Sequence, residues 1–169
     1  AIVAGDRPFT VGERGPRPRM LSERDQRALL DELVGFKRSL SQDPAAPWLE
    51  ALRAVRLGLI NPEQVEEEFG GDVDGLTDVF PRYRDRLKAM NALDFDEQIY
   101  GAVEILMTDP DRRRRAQQAM RMVLVDEFQD LTPAHVLLIR LCAAPGFDVF
   151  GVGDDDQTIY GYNGADPKW

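Results

Sequence analysis

The run Met122 to Val125 passes without a break into Asp126, Glu127, Phe128, Gln129 and Asp130, and the chain then turns at Pro133. A short apolar run of this kind reads as a strand buried in a sheet. Residues 147 to 153 repeat the arrangement, with Val149, Phe150 and Val152 leading into Asp154, Asp155 and Asp156. Between the two runs, Ala134 to Ala144 is helical in pattern and is opened by Pro133, which suits a first helical turn. Strand, helix, strand is the unit that builds a parallel sheet, and ligands of such sheets lie at the carboxyl ends of the strands. Both acid clusters fall on that edge, so they are expected to be neighbours in space.

The chain upstream has a different grammar. The first twenty residues, rich in Gly, Pro and Arg, read as an irregular lead-in. Ser22 with Asp25 three residues on forms a helix start, and Leu29, Leu30, Leu33 and Leu40 recur at helical spacing. Leu49, Leu52 and Val55 mark a shorter helix ending near Gly58. Asn61 and Pro62 open another, with Val65 and Phe69 on one face. Leu76, Phe80, Tyr83, Leu87 and Met90 keep the period across Pro81, which must either kink that helix or begin it. Phe95, Ile99, Val103 and Leu106 make one more, so everything to about residue 118 reads as helical. Phe80, Tyr83 and Phe95 are expected in the core, and Trp48 and Trp169 as packing residues.

At 169 residues and 43% hydrophobic, the chain is long enough for one sizeable core or two small ones. Its formal net charge of −9 argues against whole-surface attraction to phosphate, so any nucleic-acid binding must be local. The single cysteine, Cys142, cannot form an internal disulfide; it reads as a small core residue of a cytoplasmic protein. No apolar run approaches the roughly 18 residues of a membrane span, and no membrane partner is expected. A first residue that is Ala, and not Met, suggests a segment of something longer.

A carboxylate just past a strand can hold Mg²⁺, which wants oxygen ligands and keeps several waters. A second carboxylate beside it can polarise an attacking water, the minimal equipment for hydrolysing a nucleoside triphosphate. The plain alternative is a polar strand end. The stretch FGVGDDDQTIYGYNGAD, residues 150 to 166, bears on that choice. With VDEFQD about two dozen residues earlier, it resembles motifs II and III of UvrD/Rep/PcrA-type superfamily 1 DNA helicases, whose patterns are near VDEFQD and GDxDQSIYxWRGA. LDFDE at residues 93 to 97 is similar to the LDFDD element of that family.

The resemblance implies an α/β fold: a mostly helical insert, like the family's 1B, over residues 1–93, then part of a RecA-like parallel-sheet P-loop NTPase core over 94–169. It implies that Asp126 coordinates the Mg²⁺ of MgATP and that Glu127 is the general base. Gln157 would contact the γ-phosphate and share in catalysis, and Tyr160 and Tyr162 would stack on single-stranded DNA. ATP, Mg²⁺, single- and double-stranded DNA and the remaining helicase domains are the implied cofactors and partners. Three departures bear on this: Tyr162 and Asn163 replace Trp-Arg, His135 stands where glutamine is usual, and no GxxxxGK[ST] phosphate loop occurs in the chain.

The expected function is therefore a fragment of an ATP-dependent DNA helicase, inactive alone. The alternative is a noncatalytic nucleic-acid or protein interaction module that kept the motor fold. A metal-dependent nuclease is a third reading, and it gives QTIY no purpose. His135 also reads as an ordinary helix-surface or capping residue, the Arg112 to Arg115 run as a solvated helix start, and Tyr160 and Tyr162 as packing aromatics.

Overall fold

Ser22 opens the first helix in the way its sequence predicts. Its hydroxyl accepts the Asp25 N–H at 3.2 Å while the Asp25 carboxylate accepts the Ser22 N–H at 3.0 Å, a reciprocal cap on α1 (Glu23–Val34). The helix stops at Gly35, whose φ of 73° is the left-handed geometry that glycine adopts without steric cost. The structure is a computed structural model describing residues 17–36, 43–120, 122–143 and 148–154. Its described part falls into two compact units, divided after Asp96.

In the first unit α1 is followed by α2 (Ala46–Leu57), α3 (Pro62–Glu68) and α4 (Leu76–Ala89). Asn61 caps α3 by accepting the Glu63 N–H at 3.0 Å, with Pro62 in the first turn. Pro81 lies inside α4 and does not begin it, so the Thr77 carbonyl receives no N–H from that position. The N-cap of α4 is Gly75, which has no side chain to cap with. Glu66 of α3 supplies the missing acceptor, taking the Gly75 N–H at 2.8 Å, the Thr77 N–H at 3.0 Å and the Thr77 hydroxyl at 2.7 Å. These bonds hold its carboxyl below the usual glutamate range. Leu30, Leu52, Val65, Leu76, Tyr83 and Leu87 are buried between the helices, with Trp48 at 4% exposure as the expected packing residue.

Three readings from the sequence are corrected here. The lead-in is not wholly irregular, and the stretch to residue 118 is not wholly helical: β1 (Arg19–Met20) pairs in parallel with β2 (Ala92–Leu93), Arg19 facing Ala92 and Met20 facing Leu93. Strands of two residues are too short to show a period. Phe95, expected in the core, is 73% exposed. A helical side chain covers the turn N-terminal to its own Cα, and Phe95 is the first residue of α5 (Phe95–Thr108), where no such turn exists. Further along the same face Val103 and Leu106 are buried.

The second unit continues with α6 (Pro110–Ala119), β3 (Met122–Val125), α7 (Pro133–Cys142) and β4 (Asp148–Gly151). The two strands are parallel, with Met122 facing Asp148 and Val125 facing Gly151. Leu106, Ala116 and Cys142 form a buried cluster against Met120, Leu138 and Leu141, and burial pushes the Cys142 thiol up. Asp109 caps α6 by accepting the N–H groups of Asp111 and Arg112, each at 3.0 Å. The arginine run is thus the first turns of a helix, with Arg112 beside Asp109 at 3.2 Å and Arg114 beside Asp111 at 3.6 Å. The strands are less covered than their apolar character predicts: Leu124 is 71% and Phe150 61% exposed. Parallel strands reach full burial only when both sheet faces are covered, and a pair of strands is a narrow platform. No helix among the described residues is long and apolar enough to cross a membrane.

Candidate functional site

Beyond β3 and β4 the two chain segments stay tied together. The Val152 N–H donates to the Val125 carbonyl at 2.8 Å, and the Phe128 N–H donates to the Val152 carbonyl at 2.9 Å. This lacing makes a firm edge of the point where the acids begin. The Asp126 carboxylate accepts the Glu127 N–H at 3.0 Å. Glu127 has φ 53° and ψ 49°, a left-handed conformation that a residue with a Cβ adopts only at a cost of about 1–3 kcal/mol. A 3-10 turn, Phe128–Asp130, follows and closes with the Asp130 N–H on the Glu127 carbonyl at 2.9 Å.

Gln129 lies within that turn and is buried, at 8% exposure. Its side-chain N–H donates to Glu127 Oε2 at 2.6 Å, and its carbonyl oxygen accepts the Asp154 N–H at 3.0 Å. Asp154 therefore shares an edge with Asp126 and Glu127, in the neighbourhood that the strand pattern implied. Asp155, Asp156, Gln157, Tyr160, Tyr162, Asn163 and Trp169 lie outside the described residues. Sequence reasoning gave Gln129 no role. The available signal was an amide between acids in a turn that must fold back on the sheet.

Asp126 and Glu127 are both exposed, and their carboxylates offer hard oxygen ligands. No group of three or more metal-capable side chains occurs among the described residues. Mg²⁺ is an ion that binds through one or two such carboxylates and completes its shell with water and substrate phosphates. His135 acts locally, as a helix cap. Its Nδ1 accepts the Thr132 N–H at 3.4 Å and lies 2.7 Å from the Thr132 hydroxyl, a reciprocal arrangement at the start of α7.

The acids of LDFDE stand in a different environment. Asp94 and Arg56 are each 1% exposed, and Arg56 Nη1 reaches both oxygens of Asp94 at 2.7 and 2.8 Å. The Tyr83 hydroxyl donates to Asp94 Oδ2 at 2.7 Å, Arg56 Nε donates to the Leu52 carbonyl at 3.1 Å, and Arg56 Nη2 reaches Asp96 at 3.3 Å. Burial alone would lower the pKa of Arg56, but the carboxylates of Asp94 and Asp96 more than offset it, and the guanidinium stays charged. Burial, then the negative charge of Asp94, pushes the Tyr83 hydroxyl up. This network ties α2, α4 and the start of α5 together. Nothing in the local pattern around Arg56 marks it as the partner of Asp94.

A helical part followed by parallel strands edged with acids is an α/β architecture. Residues 7–169 match the UvrD/REP helicase N-terminal domain, and the chain belongs to that family. It is 34% identical over 154 residues to the ATP-dependent DNA helicase UvrD1 of Mycobacterium tuberculosis (strain ATCC 25618 / H37Rv), covering 83% of this chain and 20% of that protein. It is 31% identical over 153 residues to the ATP-dependent DNA helicase Rep of Escherichia coli (strain K12), covering 88% and 22%. With DNA helicase II of Rickettsia typhi the identity is 27% over 151 residues, covering 87% and 23%. The chain thus spans about a fifth of the length of the curated relatives it matches.

Proposed function

We propose that the protein to which this chain belongs is an ATP-dependent DNA helicase that couples MgATP hydrolysis to translocation on single-stranded DNA and unwinding of duplex. The observation that carries the reading is the pair of exposed carboxylates, Asp126 and Glu127, fixed at the carboxyl edge of two parallel strands with Glu127 held in a left-handed backbone. Asp126 would hold Mg²⁺, which supplies charge neutralisation at the phosphates. Glu127 orients water and takes its proton. Gln157 contacts the γ-phosphate, and Tyr160 and Tyr162 stack on bases. The names of the relatives support ATP and DNA as ligands. The exposed side chains of Leu124 and Phe150 suit cover by the rest of the motor core, which would bear the phosphate loop, and by the remaining helicase domains.

The test is DNA-stimulated ATP hydrolysis by the full-length protein. Asp126→Ala weakens Mg²⁺-nucleotide binding, whereas Glu127→Gln retains nucleotide binding and loses turnover. Unimpaired turnover in Glu127→Gln excludes it as the base. The isolated chain gives no ATP hydrolysis in a coupled assay with single-stranded DNA, and robust activity there overturns the fragment reading. Tyr160→Ala or Tyr162→Ala weakens single-stranded DNA binding by about 1–3 kcal/mol with little sequence dependence. The salt slope is unchanged, because a tyrosine neutralises no phosphate. Unchanged affinity in both folded variants removes these residues from the DNA site.

A further inference from the structure

Gln129 is buried, and its amide is engaged at both ends: the nitrogen donates to the Glu127 carboxylate at 2.6 Å and the oxygen accepts the Asp154 N–H at 3.0 Å. The amide has the polarity for both bonds, since its nitrogen can only donate and its oxygen can only accept. The backbone around it is shaped to admit it. A Cβ on Gly153 would lie 2.5 Å from Gln129 Oε1 and 3.0 Å from the Phe128 nitrogen, so a side chain there would displace the amide or press on the turn. A Cβ on Gly151 would meet the Phe128 ring at 2.8 Å. The two glycines leave room for this approach, and the Gln129 amide bonds the turn after β3 to the segment after β4.

We propose that Gln129 is a positioning residue that fixes the Glu127 carboxylate and registers it to the segment following β4. The inference rests on the reading of Glu127 as the base and deepens it. Glu127 is exposed and its backbone is strained, so its carboxylate has few walls to limit its rotamers. The Gln129 N–H holds one carboxylate oxygen, Oε2, at 2.6 Å. Because the same amide holds the Asp154 N–H, a shift of the segment after β4 is transmitted to the carboxylate. That segment leads directly to Gln157, Tyr160 and Tyr162. Movement imposed there would move the base.

Two variants of the full-length protein separate the halves of the clamp. Gln129→Met keeps length but removes donor and acceptor. Gln129→Glu keeps an oxygen for the Asp154 N–H and replaces the donor with a second carboxylate against Glu127. Both should lower kcat for ATP by about 10- to 100-fold, as loss of a supporting hydrogen bond to a site ligand typically does. KM for ATP and the dissociation constant of a fluorescent ATP analogue should stay as in the parent, since neither half of the clamp is a nucleotide ligand. Hydrogen exchange of the peptide covering residues 148–154, measured without nucleotide, should speed up in Gln129→Met and stay slow in Gln129→Glu. A purely structural residue would not split the two readouts in this way. Rates are compared below the melting transition of each variant, with Glu127→Gln alongside. If Glu127→Gln is inactive while both Gln129 variants turn over like the parent, positioning is overturned and the base assignment stands. If Glu127→Gln is active, the base assignment fails and the positioning role falls with it. Equal exchange in the parent and both variants overturns the tie to the segment after β4.

Discussion

Asp94 and Glu127 are both acids at the end of a strand, and the protein treats them in opposite ways. Asp94, after β2, is sealed from water and meets Arg56 and Tyr83 at 2.7–2.8 Å. Glu127, after β3, is exposed and takes one bond from Gln129. Burying a charge carries a desolvation cost of several kcal/mol per ion, offset only when partners satisfy each oxygen and N–H. Among the described residues no buried side-chain polar atom lacks a partner. An acid with a complete set of partners has no capacity left for a ligand. Glu127 keeps that capacity: Gln129 holds one of its carboxylate oxygens, and its backbone is fixed in the left-handed region. An acid-rich motif therefore does not mark chemistry until burial and partners are known.

The largest effects test that contrast directly. Glu127→Gln in the full-length protein should reduce DNA-stimulated ATP hydrolysis by about 10²- to 10⁴-fold while the melting temperature hardly moves. A large drop in melting temperature would make Glu127 a structural acid like Asp94. Conversely, Asp94→Ala or Arg56→Ala in this chain should cost about 3–5 kcal/mol in urea unfolding, because each leaves the other charge buried and unpaired. The double variant Arg56→Met, Asp94→Leu should recover part of that loss, since it leaves no orphan charge. Single variants within about 1 kcal/mol of the parent would mean that water reaches the pair in solution.

Smaller effects sharpen the comparison. Tyr83→Phe removes one hydrogen bond to a charged acceptor and should cost about 1.5–3 kcal/mol by the same measurement. Ser22→Ala removes the cap on α1 and should cost about 1 kcal/mol, the level expected of an exposed polar contact. Glu66 gives a pH signature. Its folded-state pKa is depressed by the N–H groups of Thr77 and Gly75, so its stabilisation is present above the ordinary value of 4.5 and is lost as pH falls below it. Melting curves across that range should decline less steeply for Glu66→Gln than for the parent. An unchanged acid slope would remove Glu66 as the surrogate cap of α4.

Local chemistry is legible in the sequence itself. Ser22 with Asp25, and Asn61 with Pro62, set helix starts because a cap and its partner lie within one turn. The apolar runs around α7 set a parallel pair whose acids share one edge, because strand, helix, strand has one common outcome. What the sequence alone determined is therefore where α1 and α3 begin and which edge carries Asp126, Glu127 and Asp154. The tertiary structure decided which acids are sealed and which stay open. Arg56 finds Asp94 across 38 residues, Gln129 finds the Asp154 N–H across 25, and Glu66 caps a helix start 11 residues on. Short β1 and β2 meet only because the helices between them fold back, and Phe95 stays exposed despite its place in the period. Periodicity and capping act within a turn or two of chain, whereas burial and pairing depend on which distant segment arrives, and no local pattern carries that information.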